Sequence, residues 1–290
     1  MDWNEIFLQF QTNAVMFRFG LISSFVLGCC IGSFLNVCIW RVPRGMSVVS
    51  PPSHCPNCGH SIRPWENIPI MSWILLGGKC SGCRKGISPR YILVELMIGL
   101  LYAGIFLLTV TRGLPGTTLL FFWIFASIAV CSGFTDCETG IIPNEFTYTA
   151  IALGLILSPL CPSCWGVTSR PAALLLSLLS CGIAGGLMAL CALAGKKIFQ
   201  REALGWGDVK LIAGAGAMLG LRGALFMVAA GSFAALLLFP VIKLLVSKYR
   251  KRKTLKFGPF LAVGALLYMA LDSSVLFRTW IQKILSAVLG

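Results

Sequence analysis

The stretch Gly205-Trp-Gly-Asp208 stands directly before the apolar run 209–221, in which Lys210 is the only charged residue. A carboxylate at the edge of so apolar a segment costs free energy, and by default it marks a functional site. A second acid, Asp136, lies just after the apolar run 117–134. These segments predict a membrane protein that keeps two carboxylates at helix ends.

The composition places the whole chain in the same class. Hydrophobic residues make up 57% of the 290 residues and charged residues only 12%, with a mean hydropathy of +0.85. A water-soluble domain of this length needs more polar surface, so we predict an all-α polytopic membrane protein with about eight transmembrane helices. Their predicted ranges are 19–40, 91–111, 117–134, 146–161, 171–194, 208–221, 223–247 and 257–272.

Three domains follow from this pattern. Residues 1–40 form an N-terminal segment with the first transmembrane helix, residues 41–90 form a loop domain, and residues 91–290 contain the other spans. The segment 275–289 is expected to form an interfacial helix.

The distribution of Lys and Arg predicts the orientation of the spans. Eight spans put four loops on one side: 41–90, 135–145, 195–207 and 248–256. Counted with Lys210 and Lys243 at helix ends, that side holds 18 of the 24 Lys and Arg residues. Positive loops stay cytoplasmic, so we expect these loops in the cytoplasm and both termini outside. The basic run 248–253 would then contact anionic lipid, and we favour this over nucleic acid.

The loop 41–90 carries two Cys-x-x-Cys pairs, Cys55-Pro-Asn-Cys58 and Cys80-Ser-Gly-Cys83. Two such pairs bind one structural Zn²⁺ tetrahedrally, and the reducing cytosol disfavours the alternative of disulfides or free thiols. Glycines at 59, 82 and 86 are expected to supply the backbone freedom of the turns. His54 and His60 are expected to be solvated. A third pair, Cys161 and Cys164, is as compatible with a disulfide as with two thiols.

The two carboxylates suggest aspartyl protease chemistry. The third span ends at Asp136 and the sixth begins near Asp208, so both acids are expected at the same membrane edge. Two adjacent carboxylates do not both ionise readily: the ionised one activates water and the protonated one polarises the scissile carbonyl. The alternative is that each acid is a solvated helix cap, which is weaker for Asp208 than for Asp136.

Several neighbours suit a peptide substrate. Gly205 and Gly207 leave the backbone before Asp208 bare, so that an extended peptide can approach. Gly258 and Pro259 open the last span, where Pro lacks an N–H. A third acid at a membrane edge, Glu95, is expected to bond to a neighbouring helix; the alternative is that it reaches the site of the two aspartates.

Longer motifs resemble those of the bacterial type IV prepilin peptidases, whose Gly-x-Gly-Asp motif is shared with intramembrane aspartyl proteases. The resemblance extends from Gly32-Ser-Phe-Leu-Asn36 to Phe257-Gly-Pro-Phe260. Between them stand Ser53-His-Cys-Pro-Asn-Cys-Gly-His60, Arg63-Pro-Trp-Glu-Asn-Ile-Pro69, Gly78-Lys-Cys-Ser-Gly-Cys83, Arg90-Tyr91, Val94-Glu-Leu96 and Gly205-Trp-Gly-Asp-Val-Lys-Leu211. One departure is Asn144-Glu145 after Pro143, where the family usually has an acid directly after the proline.

This resemblance implies a specific activity. Such enzymes lie in the bacterial inner membrane and cleave the basic leader from type IV prepilins or type II secretion pseudopilins at its cytoplasmic face. Many also methylate the new N-terminus with S-adenosylmethionine. Loop 41–90 is the only segment large enough to add a methyl-donor pocket, with Glu66 as a candidate acid or, alternatively, an ordinary loop acid. The rival classes are a proton-coupled transporter and a non-enzymatic zinc-loop scaffold.

Overall fold

The computed structural model describes residues 3–200, 204–245 and 255–271, which form a helical protein. The basic run 248–253 and the expected interfacial helix 275–289 lie outside these residues. Within them, the only β-structure is two isolated bridges, His54 to Ser61 and Lys79 to Gly86. The helices are α1 (Trp3–Thr12), α2 (Ala14–Arg41), α3 (Met71–Leu75), α4 (Arg90–Thr111), α5 (Thr117–Thr139), α6 (Asn144–Leu157), α7 (Arg170–Phe199), α8 (Trp206–Leu245) and α9 (Gly258–Leu271).

Five of the described helices are long and apolar enough to cross a membrane, namely α2, α4, α5, α7 and α8. The predicted helical membrane class is thereby confirmed, whereas the number of eight spans stays a prediction. Helices α6 and α9 have 14 residues each, which is fewer than the roughly 20 that a span needs.

Helix α8 contains the predicted span 208–221 and the described part, 223–245, of the predicted span 223–247. Its backbone is not helical at Gly220, where φ is 74° and ψ is 171°. A positive φ of this kind suits a residue without Cβ, so the glycine lets the chain break the helix at this point.

The chain forms two compact units, Met1–Phe146 and Thr147–Gly290. In the first unit, α2 packs closely on α4 because glycines stand at the points of closest approach. A Cβ on Gly28 would lie 2.7 Å from the Ile98 carbonyl oxygen, and one on Gly32 would lie 2.8 Å from the Cα of Glu95. Small residues at such contacts are typical of membrane helix pairs.

In the second unit, α7 packs on α8 through small and hydroxyl-bearing residues. The Ser177 hydroxyl donates to the Ala217 carbonyl over 2.8 Å, and a Cβ on Gly216 would lie 2.5 Å from the Ser180 carbonyl oxygen. This packing holds the amino-terminal part of α8, which carries Asp208.

Candidate functional site

Asp136 lies in the last turn of α5 and is buried, with 7% of its surface exposed. The helix ends at Gly140, whose φ is 82° and whose N–H donates to the Asp136 carbonyl over 2.9 Å. A left-handed glycine is a common way to end a helix, so Gly140 stops α5 just beyond the carboxylate. The structure therefore places Asp136 at a helix end, as the sequence predicts.

Two buried hydroxyls belong to the same end of α5. Ser132 and Thr135 are fully buried, and neither side-chain oxygen has a hydrogen-bond partner within the described parts of the chain. Buried polar groups are as a rule paired, so an unpaired hydroxyl indicates a water or ligand. Sequence reasoning missed these residues, although a small polar residue one turn before Asp136 in an apolar run is a visible signal.

Asp208 lies in the first turn of α8 and is half-buried. Gly205 immediately precedes this helix and accepts a hydrogen bond from the Val209 N–H over 3.2 Å. A Cβ on Gly205 would lie 3.1 Å from Oδ2 of Asp208. The bare backbone at 205 thus leaves room for the carboxylate itself, whereas the sequence argument concerned room for substrate.

The other predicted substrate residues lie at helix starts in the second unit. Gly207 is in the first turn of α8, and Gly258 and Pro259 form the first turn of α9. The chain enters α9 with the N–H groups of Phe260 and Leu261 both donating to the Phe257 carbonyl over 3.0 Å. Asp136 and Asp208 belong to different compact units, and their pairing stays a prediction.

The four cysteines of loop 41–90 converge on one point. The sulfurs of Cys55, Cys58, Cys80 and Cys83 all lie within 4.8 Å of one another. The distance between the Sγ atoms of Cys55 and Cys83 is 3.9 Å, and that between the Sγ atoms of Cys58 and Cys80 is 4.0 Å. A disulfide needs about 2.05 Å, whereas four sulfurs at about 2.3 Å from one Zn²⁺ lie about 3.8 Å apart. The cluster therefore fits a tetrahedral metal ion and contains no disulfide.

The two cysteine pairs share one backbone design. In each, the first cysteine accepts a hydrogen bond from the residue four positions on, Gly59 or Arg84, over 2.9 or 3.0 Å. Those residues have positive φ, 72° at Gly59 and 61° at Arg84. The sequence predicted that Gly59, Gly82 and Gly86 supply the backbone freedom of these turns. This is correct for Gly59 and wrong for Gly82 and Gly86, because Arg84 takes the left-handed position of the second pair.

Backbone N–H groups lower the pKa of one of the metal-binding thiols, whereas the pKa of Cys58 is raised by burial and by its cysteine neighbours. Hydrogen bonds from the backbone of Asn57 and Cys58 lower the pKa of Cys55 to about 6. Since thiolates are the species that bind metal, this lowering prepares Cys55 for coordination near neutral pH.

His60 was expected in solvent, but it links the cysteine pairs to the following turn. Its Nε2 lies 3.2 Å from the Glu66 carboxylate and 3.0 Å from the Ser81 hydroxyl. The N–H of Arg63 donates to the same carboxylate over 3.0 Å and, with the Ser81 and His60 hydrogen bonds, lowers the pKa of Glu66 to about 2. Glu66 is thus ionised at neutral pH, and its hydrogen bonds hold His60 and Arg63 of the loop together. His54 is exposed, as expected for a solvated residue, and its Nδ1 lies 3.0 Å from the Pro52 carbonyl oxygen.

Glu95 is buried on α4 and accepts the N–H of Ile70 over 2.7 Å. The expected bond to a neighbouring helix is made with the Ser33 side chain of α2, and the bond to Ile70 adds a contact with the loop backbone. Sequence reasoning missed this contact because it joins residues 25 positions apart through the folding of the loop.

Protein-family comparisons match two long segments of the chain. Residues 26–109 match the bacterial peptidase A24 N-terminal domain, and residues 123–240 match the type IV leader peptidase family. The second segment contains both Asp136 and Asp208, and the first contains the four-cysteine cluster.

Curated relatives match nearly the full length. A prepilin leader peptidase/N-methyltransferase of Burkholderia pseudomallei (strain 1026b) is 34% identical, covering 84% of this chain and 83% of the relative. Proteins of the same name from Neisseria gonorrhoeae and Dichelobacter nodosus are 32% and 34% identical, over 90% and 89% of this chain and 94% and 92% of theirs. No solved structure matches the chain. On these matches, the chain belongs to the type IV leader peptidase family.

Proposed function

We propose that this protein cleaves the leader peptide from type IV prepilins or type II secretion pseudopilins and then methylates the new N-terminal amine. The observation that carries the proposal is the position of Asp136 and Asp208. Both fall inside the 123–240 segment that matches the leader peptidase family, and each lies within one turn of a helix end.

Asp136 and Asp208 act as a catalytic pair in this proposal. Asp208 is in the first turn of α8, where the helix dipole stabilises negative charge, so it is the ionised base that takes a proton from water. Asp136 is buried in the last turn of α5, where the dipole of that helix disfavours negative charge, so Asp136 carries the proton. It donates a hydrogen bond to the scissile carbonyl and gives its proton to the leaving amine as the tetrahedral intermediate collapses, while Asp208 keeps the proton taken from water.

The substrate backbone lies along the glycine-rich helix starts. Gly205, Gly207, Gly258 and Pro259 present little side-chain bulk, so an extended peptide can reach the carboxylates. A prepilin enters with its hydrophobic helix in the bilayer and its basic leader in the cytoplasm. Its cleavage point then lies at the membrane edge.

Methylation is the second activity, in keeping with the name of the relatives. S-adenosylmethionine would supply a methyl group to the neutral N-terminal amine and leave as the thioether S-adenosylhomocysteine. Residues 41–90, within the segment that matches the A24 N-terminal domain, form the loop domain that serves this step, beside the first span in 1–40 and the peptidase region 91–290.

Zn²⁺ is the metal that suits the four-cysteine cluster best. Cys55, Cys58, Cys80 and Cys83 supply four thiolates, which leave no open position for chemistry, so the ion is structural. The ion would join the two cysteine pairs of a loop that has little regular structure.

The proposed location is the bacterial inner membrane, with residues 41–90 and the two aspartates at the cytoplasmic face. The excess of Lys and Arg in the loops on that side supports this orientation. An impermeant thiol reagent added from outside should fail to label a cysteine introduced at Met46, which is exposed in this loop. Labelling from outside would contradict the orientation.

Co-expression with a prepilin tests the function. Mass spectrometry of the pilin N-terminus is expected to show loss of the leader and one added methyl group. A transporter or a scaffold would leave the prepilin intact, and the family matches favour the peptidase over both.

A further inference from the structure

A cleft of about 380 Å³ lies between α2 and the loop of the first unit. Its floor is the C-terminal part of α2, from Cys30 to Arg41, which is roughly 16 Å of helix. Its walls come from the loop, one around Val48 to Ser53 and the other at Asn67 and Pro69. The volume falls in the range of about 300 to 1,000 Å³ that is typical of small-molecule sites.

The first wall is held by a buried cation. Arg41 is 7% exposed, and its guanidinium donates to the Ser47 carbonyl over 3.0 Å and the Pro52 carbonyl over 3.5 Å. A guanidinium has five N–H donors, so these two bonds leave it able to bind an anionic group in the cleft. Burial of a charge is costly, which argues for a role beyond filling space.

The second wall is held by a buried carboxylate. Glu95 binds the N–H of Ile70, which directly follows the wall residue Pro69. Ile70 has a φ of 63° and ψ of −53°, and the Met71 N–H closes a three-residue turn onto the Pro69 carbonyl over 2.6 Å. Such a turn is strained for a β-branched residue and is retained where the surroundings enforce it.

We propose that this cleft binds the methyl donor S-adenosylmethionine, with Arg41 receiving its carboxylate. The inference deepens the proposed methyltransferase activity and rests on it. Two buried side chains, Arg41 and Glu95, hold opposite walls through hydrogen bonds to the loop backbone, so the cleft is formed before a ligand arrives. Ser33, Ser53 and Asn67 add polar contacts, and Phe34 offers an aromatic face for the adenine. An elongated ligand with an anion at one end and a planar aromatic group at the other suits this lining.

A bulky residue on the cleft floor tests the site. Val37→Trp fills the cleft, and the control Val26→Trp makes the same change on an exposed face of α2. In equilibrium dialysis of the purified full chain with labelled S-adenosylmethionine, Val37→Trp is expected to raise Kd at least tenfold and Val26→Trp to leave it unchanged. Leader cleavage by the same preparations reports whether each variant is folded.

The charge contact has its own test on the unaltered protein. S-adenosylhomocysteine should displace the labelled donor, whereas 5′-methylthioadenosine, which lacks the amino-acid group, should need at least a tenfold higher concentration. Equal potency of the two competitors would overturn the role of Arg41.

A native cysteine supplies a readout that does not depend on activity. Cys30 lines the cleft and is exposed, and Cys191 is an exposed cysteine of α7. Saturating S-adenosylhomocysteine is expected to slow alkylation of Cys30 by N-ethylmaleimide at least fivefold, measured by peptide mass spectrometry, without slowing that of Cys191.

The outcomes separate this inference from the proposed function. Normal donor affinity in a Val37→Trp variant that also cleaves normally, or unprotected Cys30, would overturn the cleft and leave the methyltransferase in place. A wild-type protein that cleaves prepilin but neither binds nor uses the donor would overturn both the cleft and the methylation.

Discussion

Asp136 ends a long helix of the first unit, whereas Asp208 begins a long helix of the second. Asp136 is buried beside two hydroxyls that have no partner in the described residues, and Asp208 is half-buried behind a glycine that leaves it space. Asp136 thus lies in a buried environment that contains hydroxyl groups, whereas Asp208 lies in a more exposed environment beside bare backbone. Two carboxylates in different environments can take different roles, one as acid and one as base.

The comparison predicts that both acids are indispensable. Asp136→Asn and Asp208→Asn are each expected to lower kcat for leader cleavage at least about 10³-fold, because each removes a proton-transfer group. The matched control is Glu145→Gln, which neutralises an exposed carboxylate of α6. A near-normal rate for either aspartate variant, at equal protein in the membrane, would break the proposed pair.

The four-cysteine cluster is a second difference between the two units, because all four cysteines lie in the first unit. Cys80→Ser is expected to reduce bound zinc from about one ion per chain to almost none and to expose the loop to proteolysis, since three thiolates no longer close the site. Elemental analysis of purified protein measures the metal, with Cys191→Ser as control. Unchanged zinc in the Cys80 variant, or none in the wild type, would contradict the cluster.

Filling the space beside Asp208 is expected to have the next largest effect on kcat. Gly205→Ala is expected to lower kcat by tens to about 10²-fold, because its Cβ would lie 3.1 Å from the carboxylate and displace it. Gly186→Ala on α7, where a new Cβ meets nothing within 4 Å, should leave the rate unchanged. Equal rates for the two variants would show that Asp208 does not depend on this space.

The hydroxyls beside Asp136 give the smallest effect. If Ser132 binds the water that is attacked, Ser132→Ala should lower kcat about fivefold, the value of one hydrogen bond of about 1 kcal/mol. Thermal stability should not fall, because this buried oxygen has no partner among the described residues. Ser127→Ala should lower the thermal stability and leave kcat unchanged, because Ser127 hydrogen-bonds to Tyr102 and to the Trp123 carbonyl. An unchanged rate for Ser132→Ala would remove this hydroxyl from the mechanism.

The sequence predicted what depends on local pattern. Long apolar runs gave the helices, and the Cys-x-x-Cys spacing gave a cluster whose four sulfurs converge as expected. The left-handed residue of the second pair was assigned to glycines, whereas Arg84 takes it. Backbone hydrogen bonds of the turn hold Arg84 there against its own preference, and residue type does not reveal that.

Contacts between distant residues were beyond prediction. The bond from Ile70 to Glu95 and the bonds of Arg41 to the loop depend on how the loop folds back on α2 and α4. His60 was expected in solvent for the same reason, because its partner Ser81 comes from the second cysteine pair. Periodicity and spacing describe single segments, so they cannot show which buried charge reaches which backbone group.

The break at Gly220 has a consequence for the lipid around the site. An unbroken helix of 40 residues would be about 60 Å long, twice the hydrocarbon thickness of about 30 Å. The part before the break, Trp206 to Leu219, is only about 21 Å long and carries Asp208 in its first turn. If this part crosses the membrane by itself, as the predicted span 208–221 requires, it is shorter than the hydrocarbon layer, and we expect the bilayer to thin around it. Thinning would draw water and lipid headgroups towards Asp208, so that a hydrolytic reaction could take place at a depth where a pilin helix is still surrounded by acyl chains.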